Sequence, residues 1–214
     1  MQNFLRENLE LELNHSLCLE DFLRRLFLVE LKSENLDGFL VASENLQEEF
    51  KKHKFIKEFA KCKEDKNLLD EIRYEFNTLF VGPRRPKAVP YESAYFEYKT
   101  MFSKRTMQVR EFYESIGLKV EGEKFDKFPD DFIGYELEAL YFLSFRALEE
   151  FKNENEARAY ETLKAKGEFI SSHPRQWFGE FCAACNGSAK LEIWKNFGDF
   201  LTLYLQKEIK NLQI

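Results

Sequence analysis

Two cysteines three residues apart, Cys182 and Cys185, have the spacing of a reactive thiol pair. A C-x-x-C can be a dithiol redox centre or half of a zinc site. Zinc would need two further ligands, and only His173 lies near in sequence. No strand–helix–strand pattern of a thioredoxin-type fold surrounds the pair. Two thiols one helical turn apart commonly pack in a core, so we predict that Cys182 and Cys185 lie in the core.

The remaining residues suggest no catalytic apparatus. His15, His53 and His173 are scattered, and no P-loop, nucleophile elbow or H-E-x-x-H is present. The sequence therefore predicts a protein that is not an enzyme and holds no cofactor or metal. A thiol redox enzyme using Cys182 and Cys185 stays open as the alternative.

Charge is unevenly distributed along the chain. Between Val81 and Arg110 seven basic residues stand against two acids, and between Glu121 and Glu138 seven acids stand against two bases. These segments could pair with each other or face water, or they could form a binding surface with a basic and an acidic side. Carboxylates beside aromatics would suit a basic, partly apolar peptide. The net charge of -6 gives no support for nucleic acid as a partner.

The N-terminal region has no features of an export or membrane segment. Arg24-Arg25 looks like an export motif, but charged residues follow instead of an apolar run, so an amphipathic helix is expected. No apolar stretch approaches the roughly 18 residues that span a bilayer. The four cysteines do not suggest a disulfide scaffold in a chain of 214 residues. A cytoplasmic protein without stable membrane insertion is the expectation.

Helical periodicity dominates the sequence. With 23 Phe but only 9 Gly and 5 Pro, the composition favours packed helices, and we predict one all-α domain over residues 1–214. Ser33 is the expected cap of the second helix. A loop rich in prolines, Leu79–Ser93, interrupts the pattern. The predicted helices are 17–31, 33–53, 65–80, 94–116, 130–151, 155–172, 175–185 and 189–212.

Three segments carry signatures of a known family. The first motif, Phe76–Phe96, reads FNTLFVGPRRPKAVPYESAYF and is similar to aromatic-x-x-Leu-Phe-x-Gly-Pro followed by Ala-x-Pro-aromatic-x-Ser. The second motif, Phe128–Leu143, reads FPDDFIGYELEALYFL and resembles Pro-Asp-His followed by a helix near a Glu-Leu. The third motif, Ser171–Phe181, is similar to a looser C-terminal feature. Together they resemble the TorD/DmsD family of cytoplasmic redox-enzyme maturation chaperones.

The resemblance implies a TorD-like helical bundle that binds the twin-arginine signal peptide of a molybdenum- or tungsten-cofactor oxidoreductase. Such a chaperone contacts the body of its precursor as well, assists cofactor insertion and delays export until folding is complete. A close variant binds only the mature catalytic subunit, as nitrate reductase assembly factors of the same superfamily partly do. The sequence leaves open which oxidoreductase is the partner, and whether the protein is a monomer or a homodimer.

The resemblance also assigns site residues position by position. Asp130 would be the signature acid, supported by Glu136. Asp131 stands where the family usually has histidine, so a titratable imidazole is replaced by a carboxylate that would attract arginines. Arg84 and Arg85 should point away from a cationic ligand, or pair with the acidic segment or the partner enzyme. The apolar part of the peptide site would be lined by Phe76, Leu79 and Phe80, and the loop beside it shaped by Gly82, Pro83, Pro90, Tyr91 and Ser93.

Overall fold

Helices make up the regular structure of the chain. The computed structural model describes residues 2–82, 85–96, 103–120 and 128–214. These residues contain no strand, only an isolated bridge between Tyr91 and Phe132. The predicted all-α class is therefore confirmed. The helices are α1 Gln2–Leu28, α2 Ser33–Glu44, α3 Glu48–Lys51, α4 Lys54–Ala60, α5 Lys66–Phe76, α6 Ser93–Phe96, α7 Lys104–Ser115, α8 Ile133–Lys152, α9 Glu156–Ser172, α10 Pro174–Ser188, α11 Glu192–Lys195 and α12 Phe197–Leu212.

The longest helices form the body of the bundle. α1 packs along α8, α8 packs against α9, and α10 packs against α12. A turn of π-helix, Asn77–Val81, continues α5 and leads into the proline-rich loop. No helix within the described ranges is long and apolar enough to cross a membrane.

Aromatic rings fill the centre of the core, which accounts for the abundance of phenylalanine. The ring of Phe27 on α1 lies at the middle of this cluster, with its neighbours in tilted or edge-to-face arrangements that rings favour. The five rings whose centroids lie 5.5–6.4 Å from that of Phe27 are those of Phe76, Phe80, Phe132, Phe181 and Phe197.

The predicted helix 94–116 is wrong as a continuous element. The backbone of Ser103 is extended, with φ −114° and ψ −177°, and α7 begins after it. The Ser103 hydroxyl accepts the N–H of Arg105 at 3.0 Å, and the Ser103 N–H donates to the Thr106 hydroxyl at 3.1 Å. This capping box starts a new helix.

Other predicted helix limits also shift. The predicted helix 33–53 divides into α2 and α3, and 189–212 divides into α11 and α12. Ser33 is the first helical residue rather than the cap, a position that Lys32 occupies. The predicted break at His173-Pro174 is confirmed, because proline is the first residue of α10.

A fully buried ion cluster joins four helices. Lys166 of α9 lies 2.8 Å from a carboxylate oxygen of Glu20 on α1 and also pairs with Glu208 on α12. Its ammonium group donates to the hydroxyl of Ser144 on α8 at 2.8 Å, and the Tyr204 hydroxyl donates to Glu20 at 2.9 Å. The cluster fixes how α1, α8, α9 and α12 pack together.

Candidate functional site

The proline-rich loop docks onto the start of α8, which brings the first two motifs together. The N–H of Ile133 donates to the carbonyl of Pro90 at 3.0 Å, and the N–H of Glu92 donates to that of Asp131 at 3.1 Å. The N–H of Ser93 donates to the Asp131 carboxylate at 2.7 Å. The buried Asp131 carboxylate therefore holds the loop against the start of α8.

The third motif completes this arrangement from α10. His173 Nδ1 lies 2.7 Å from a carboxylate oxygen of Glu92. The indole N–H of Trp177 donates to the carboxylate of Glu136 at 3.0 Å, and its ring lies 5.3 Å from that of Tyr95. All three motifs therefore meet through side chains far apart in sequence.

Three fully buried carboxylates lie at this junction: Glu92, Asp131 and Glu136, which we call the carboxylate cluster. Each has one oxygen without a hydrogen-bond partner among the described residues, although Arg105 lies 3.4 Å from that of Glu92. Burial raises the pKa of Glu136 well above its ordinary value, and the charges of Glu92 and Asp131 add to the increase. Glu136 therefore favours its protonated form.

Asp130 lies beside the carboxylate cluster and is nearly buried, with 8% of the residue exposed. Its carboxylate accepts two hydrogen bonds from the guanidinium of Arg110 on α7, at 2.6 and 3.0 Å. The Arg110 side chain is 44% exposed, so this ion pair is open to solvent on one side. The hydroxyl of Tyr113 donates to the Asp130 carbonyl at 3.1 Å and so fixes the backbone there. Asp130 is thus less buried than the three carboxylates of the cluster, and the partly exposed Arg110 covers it.

An apolar cavity of about 360 Å³ lies between α1, α7 and α8. The Arg24 guanidinium at its edge is neutralised by Asp21 and Glu138, at 2.5 and 2.6 Å. Tyr113 borders both this cavity and Asp130. An acidic group and apolar surface are thus close together. The lining is completed by Leu28, Leu118, Lys119, Val120, Tyr135 and Ala139.

The three predicted apolar site residues lie in the aromatic core. Phe80 is 2% exposed, and Leu79 is fully buried. Phe76 is half-buried, with its ring 5.0 Å from that of Phe80 and 5.6 Å from that of Trp194. These residues pack in the core next to the proline-rich loop. That they contact a peptide stays a prediction.

The loop residues adopt the backbone that the first motif requires. Gly82 has φ +98°, where side chains are strained, and its N–H closes the π-helical turn on the Asn77 carbonyl at 2.7 Å. Pro90, Tyr91 and Ser93 are buried against the start of α8. Their predicted role in shaping the loop agrees with this placement, while Pro83 lies outside the described residues.

The described basic residues of the loop, Arg85 and Lys87, do not meet the carboxylate cluster. Arg85 is exposed, and no carboxylate of the described residues lies within ion-pair distance of it. Arg84 lies outside the described ranges. The expectation that Arg85 meets a partner enzyme stays a prediction.

The cysteine pair is part of the core, as predicted. Cys185 is fully buried, and its thiol lies 3.5 Å from the carbonyl oxygen of Trp194. Burial raises the pKa of Cys182 to about 12 and raises that of Cys185 as well. Reactive thiols have lowered pKa values, so this arrangement argues against redox chemistry. Within the described ranges no group of three or more potential ligands could hold a metal ion.

Sequence reasoning missed the pairings that build the site. Glu92 and His173 are 81 residues apart, and Arg110 and Asp130 are 20 apart. The sequence held only an indirect sign of the Glu92–His173 pairing, namely that each of the two residues lies inside a motif.

Known proteins match the chain in sequence and fold. The model of the nitrate reductase delta subunit family matches residues 43–183, a range that contains all three motifs. The chain belongs to this family. Chaperone protein TorD from two Vibrio cholerae O1 strains, Classical Ogawa 395 and El Tor Inaba N16961, is 30% identical over 115 residues, which are 54% of this chain. The chain spans 50% of the length of these relatives.

The fold has a counterpart among solved structures. A crystal structure described as that of a redox enzyme maturation protein from Archaeoglobus fulgidus covers 94% of both chains, with a TM-score of 0.55 and 20% identity. This similarity shows the fold alone. Together with the sequence matches, it confirms the predicted resemblance to redox-enzyme maturation chaperones.

Proposed function

We propose that the protein is a cytoplasmic chaperone that binds the twin-arginine signal peptide of a molybdenum- or tungsten-cofactor oxidoreductase. It holds the precursor while the cofactor is inserted and so delays export. The names of the similar proteins, chaperone protein TorD and redox enzyme maturation protein, support this class of function. The observation that carries the proposal is the meeting of three motifs beside Asp130, whose carboxylate binds the partly exposed Arg110.

Asp130 would receive an arginine of the signal peptide. It already binds a guanidinium, that of Arg110, in the geometry such a ligand would use. Since the Arg110 side chain is 44% exposed, it can turn into solvent and leave the Asp130 carboxylate to an incoming arginine. Arg110 would then return to solvent.

The apolar part of the signal peptide would use the cavity between α1, α7 and α8. Tyr113 connects that cavity to Asp130, so a peptide with a basic end and an apolar end can occupy both. The carboxylate cluster is too deeply buried to contact the peptide directly. Its role is to hold the loop and the start of α8 in position.

Calorimetry with the full chain tests this proposal. The ligand is the twin-arginine leader of an oxidoreductase encoded beside this protein, and the comparison is a leader with both arginines replaced by alanine. We expect binding of the first leader and much weaker binding of the second. Loss of a charged hydrogen bond in Asp130→Ala should weaken leader binding by about 1–3 kcal/mol.

Asp70→Ala is the matched control, because Asp70 forms an exposed ion pair with Arg73 at 3.0 Å elsewhere on the surface. It should leave leader binding unchanged. Equal affinity for both leaders, or an unchanged affinity in folded Asp130→Ala, would contradict the proposal.

Binding of only the mature catalytic subunit is the second candidate, favoured by the match to the nitrate reductase delta subunit family. Pull-down with a leaderless partner separates the two. Capture that is independent of the leader, with no binding of the isolated leader, would favour the second candidate.

A further inference from the structure

Arg110 covers the acid that the proposed site would offer to an arginine of the leader. Its Nε and Nη2 atoms donate to the same oxygen of the Asp130 carboxylate, at 3.0 and 2.6 Å. The Asp130 side chain is 10% exposed, whereas that of Arg110 is 44% exposed. An arginine from another molecule would therefore reach this carboxylate only after Arg110 has left it.

The position of α7 does not depend on the guanidinium of Arg110. The hydroxyl of the buried Tyr113 donates to the Asp130 carbonyl at 3.1 Å. The ring of Phe112 stacks on that of Phe169 on α9, with the two centroids 4.5 Å apart. These contacts attach α7 to the turn before α8 and to α9. The Arg110 side chain can therefore move away from the turn while α7 stays in place.

Arg24, at the edge of the neighbouring cavity, provides a contrast, because its guanidinium is held from several sides. It donates to the carboxylates of Asp21 and Glu138, and it lies 4.1 Å from the centre of the Tyr141 ring. Its side chain is 21% exposed. Arg110 is more exposed, and within the described ranges it has one hydrogen-bonded carboxylate. Of the two arginines, Arg110 is the one that is easier to displace.

A second carboxylate is available to Arg110 once it leaves Asp130. Glu114 lies four residues later on α7 and is exposed, a spacing at which opposite charges on a helix attract each other. The hydrogen bonds and charge of Asp130 raise the pKa of Arg110, and the charge of Glu114 adds to that rise. The released guanidinium can thus turn towards Glu114, which lowers the cost of uncovering Asp130.

We propose that Arg110 is an autoinhibitory group, which occupies Asp130 as an internal competitor until an arginine of the leader replaces it. The inference rests on the proposed function, in which Asp130 binds the leader. The apparent affinity for the leader is then reduced to the fraction of molecules in which Asp130 is uncovered. Removal of the Arg110 guanidinium should therefore tighten leader binding. It also leaves a nearly buried carboxylate without a cation, which increases the gain from an incoming arginine.

Calorimetry with the full chain and the twin-arginine leader tests this inference. Arg110→Met keeps the apolar stem of the side chain but cannot donate to Asp130. We expect it to bind the leader at least about fivefold more tightly than the unmodified protein does. Arg110→Ala is a second variant with the same expected direction. In the background of Asp130→Ala, Arg110→Met should have no effect, because no carboxylate is left to uncover.

Lys104→Met is the matched control, because it removes a positive charge from an exposed position of the same helix. It should leave leader affinity nearly unchanged. Equal tightening by Lys104→Met, or equal tightening by Arg110→Met with and without Asp130, would mean that net charge rather than competition is responsible. Unchanged or weaker leader binding by folded Arg110→Met would also overturn the inference.

A small probe separates this inference from the proposed function. N-acetyl-arginine amide carries the guanidinium without a leader, and the NMR shifts of the Asp130 and Asp131 backbone amides report its binding. We expect Arg110→Met to bind the probe several-fold more tightly than the unmodified protein, and Asp130→Ala to lose that binding. Equal binding of the probe with and without the Arg110 guanidinium would contradict the inference. Failure of every variant to bind the leader, with the expected preference for the probe intact, would contradict the proposed function alone.

Discussion

The protonation state of Glu136 is determined by its buried surroundings. It is fully buried, accepts a single hydrogen bond from Trp177, and lies near the carboxylates of Glu92 and Asp131. Ionising Glu136 would place a further negative charge among these carboxylates, and among the described residues no cation lies within ion-pair distance of Glu136 itself. A protonated Glu136 avoids that cost.

This arrangement gives stability a definite pH dependence. Since burial raises the pKa of Glu136 in the folded state, the folded protein binds more protons than the unfolded chain above the ordinary pKa of about 4.3. The free energy of unfolding should therefore fall as pH rises from there towards the raised pKa. Glu136→Gln keeps an acceptor for Trp177 but cannot ionise, so it should be more stable than the unmodified protein at about pH 8 and lose that advantage at about pH 5.

Urea unfolding at both pH values measures the effect. Glu149→Gln on the same helix is the control, because the Glu149 side chain is 42% exposed and pairs with Lys152. It should show no comparable pH dependence. A stability difference between Glu136→Gln and the unmodified protein that does not change with pH would refute the argument.

At the residue scale the sequence predicted which acids belong to the site but not what each one does. Asp130 and Asp131 are adjacent, yet the first binds the partly exposed Arg110 and the second is fully buried and accepts the N–H of Ser93. Their difference arises from the turn before α8, which directs the two side chains to opposite environments. Neither composition nor spacing contains that information.

At the scale of elements, periodicity identified the long helices but missed some of their limits, since the predicted helix 17–31 is the later part of α1, which runs from Gln2 to Leu28. It predicted the interruptions poorly. Apolar spacing identifies α1, α5 and α8 because each buries one face against the core. The interruptions at Ser103 and Asn196 depend on caps and local turns, whose residues are common in helix interiors too. The proline-rich loop was the exception, because its composition excludes helix outright.

The close contact between α10 and α12 can be tested by substitution at Gly198. At Gly198 on α12, an added Cβ would lie 2.7 Å from the carbonyl oxygen of Cys182 on α10 and would also collide with the Asn186 amide. The contact involves backbone, so relief requires the two helices to separate. Gly198→Ala should therefore destabilise the protein by about 1–3 kcal/mol, despite the better helix propensity of alanine.

Gly38→Ala is the matched helical control, since an added Cβ there meets nothing within 4 Å. It should stabilise the protein by about 0.5–1 kcal/mol. Chemical unfolding of both variants gives the comparison. Equal stabilisation by the two substitutions would mean that α10 and α12 are not in the close contact described.

On the scale of the whole molecule, the motifs were enough to predict family and fold class, because three signatures in order constrain most of the chain. What they did not predict is the ion cluster around Lys166, which joins residues from both ends of the sequence. Its members look like ordinary charges on amphipathic helices. Only the packing of α1, α9 and α12 reveals that they face one another.

The stability of the assembled bundle should depend on the charge of Lys166. Burial lowers the pKa of Lys166, but the carboxylates of Glu20 and Glu208 outweigh that effect and leave the pKa above its ordinary value. Lys166→Met keeps the apolar stem but leaves two buried carboxylates without a cation. We expect a loss of about 3–5 kcal/mol in the free energy of unfolding near neutral pH.

The same variant should recover part of its stability in acid. Burial already raises the pKa of Glu20. Without the ammonium group the pKa of Glu20 should rise further, so a fall in pH protonates Glu20 within the folded state and removes its repulsion with Glu208. Lys164→Met, two residues earlier on the exposed face of α9, is the control and should change stability little. Urea titrations at about pH 7 and about pH 5 decide the matter: a small loss at neutral pH, or one that does not shrink in acid, would mean that the ion cluster is not what holds the helices in register.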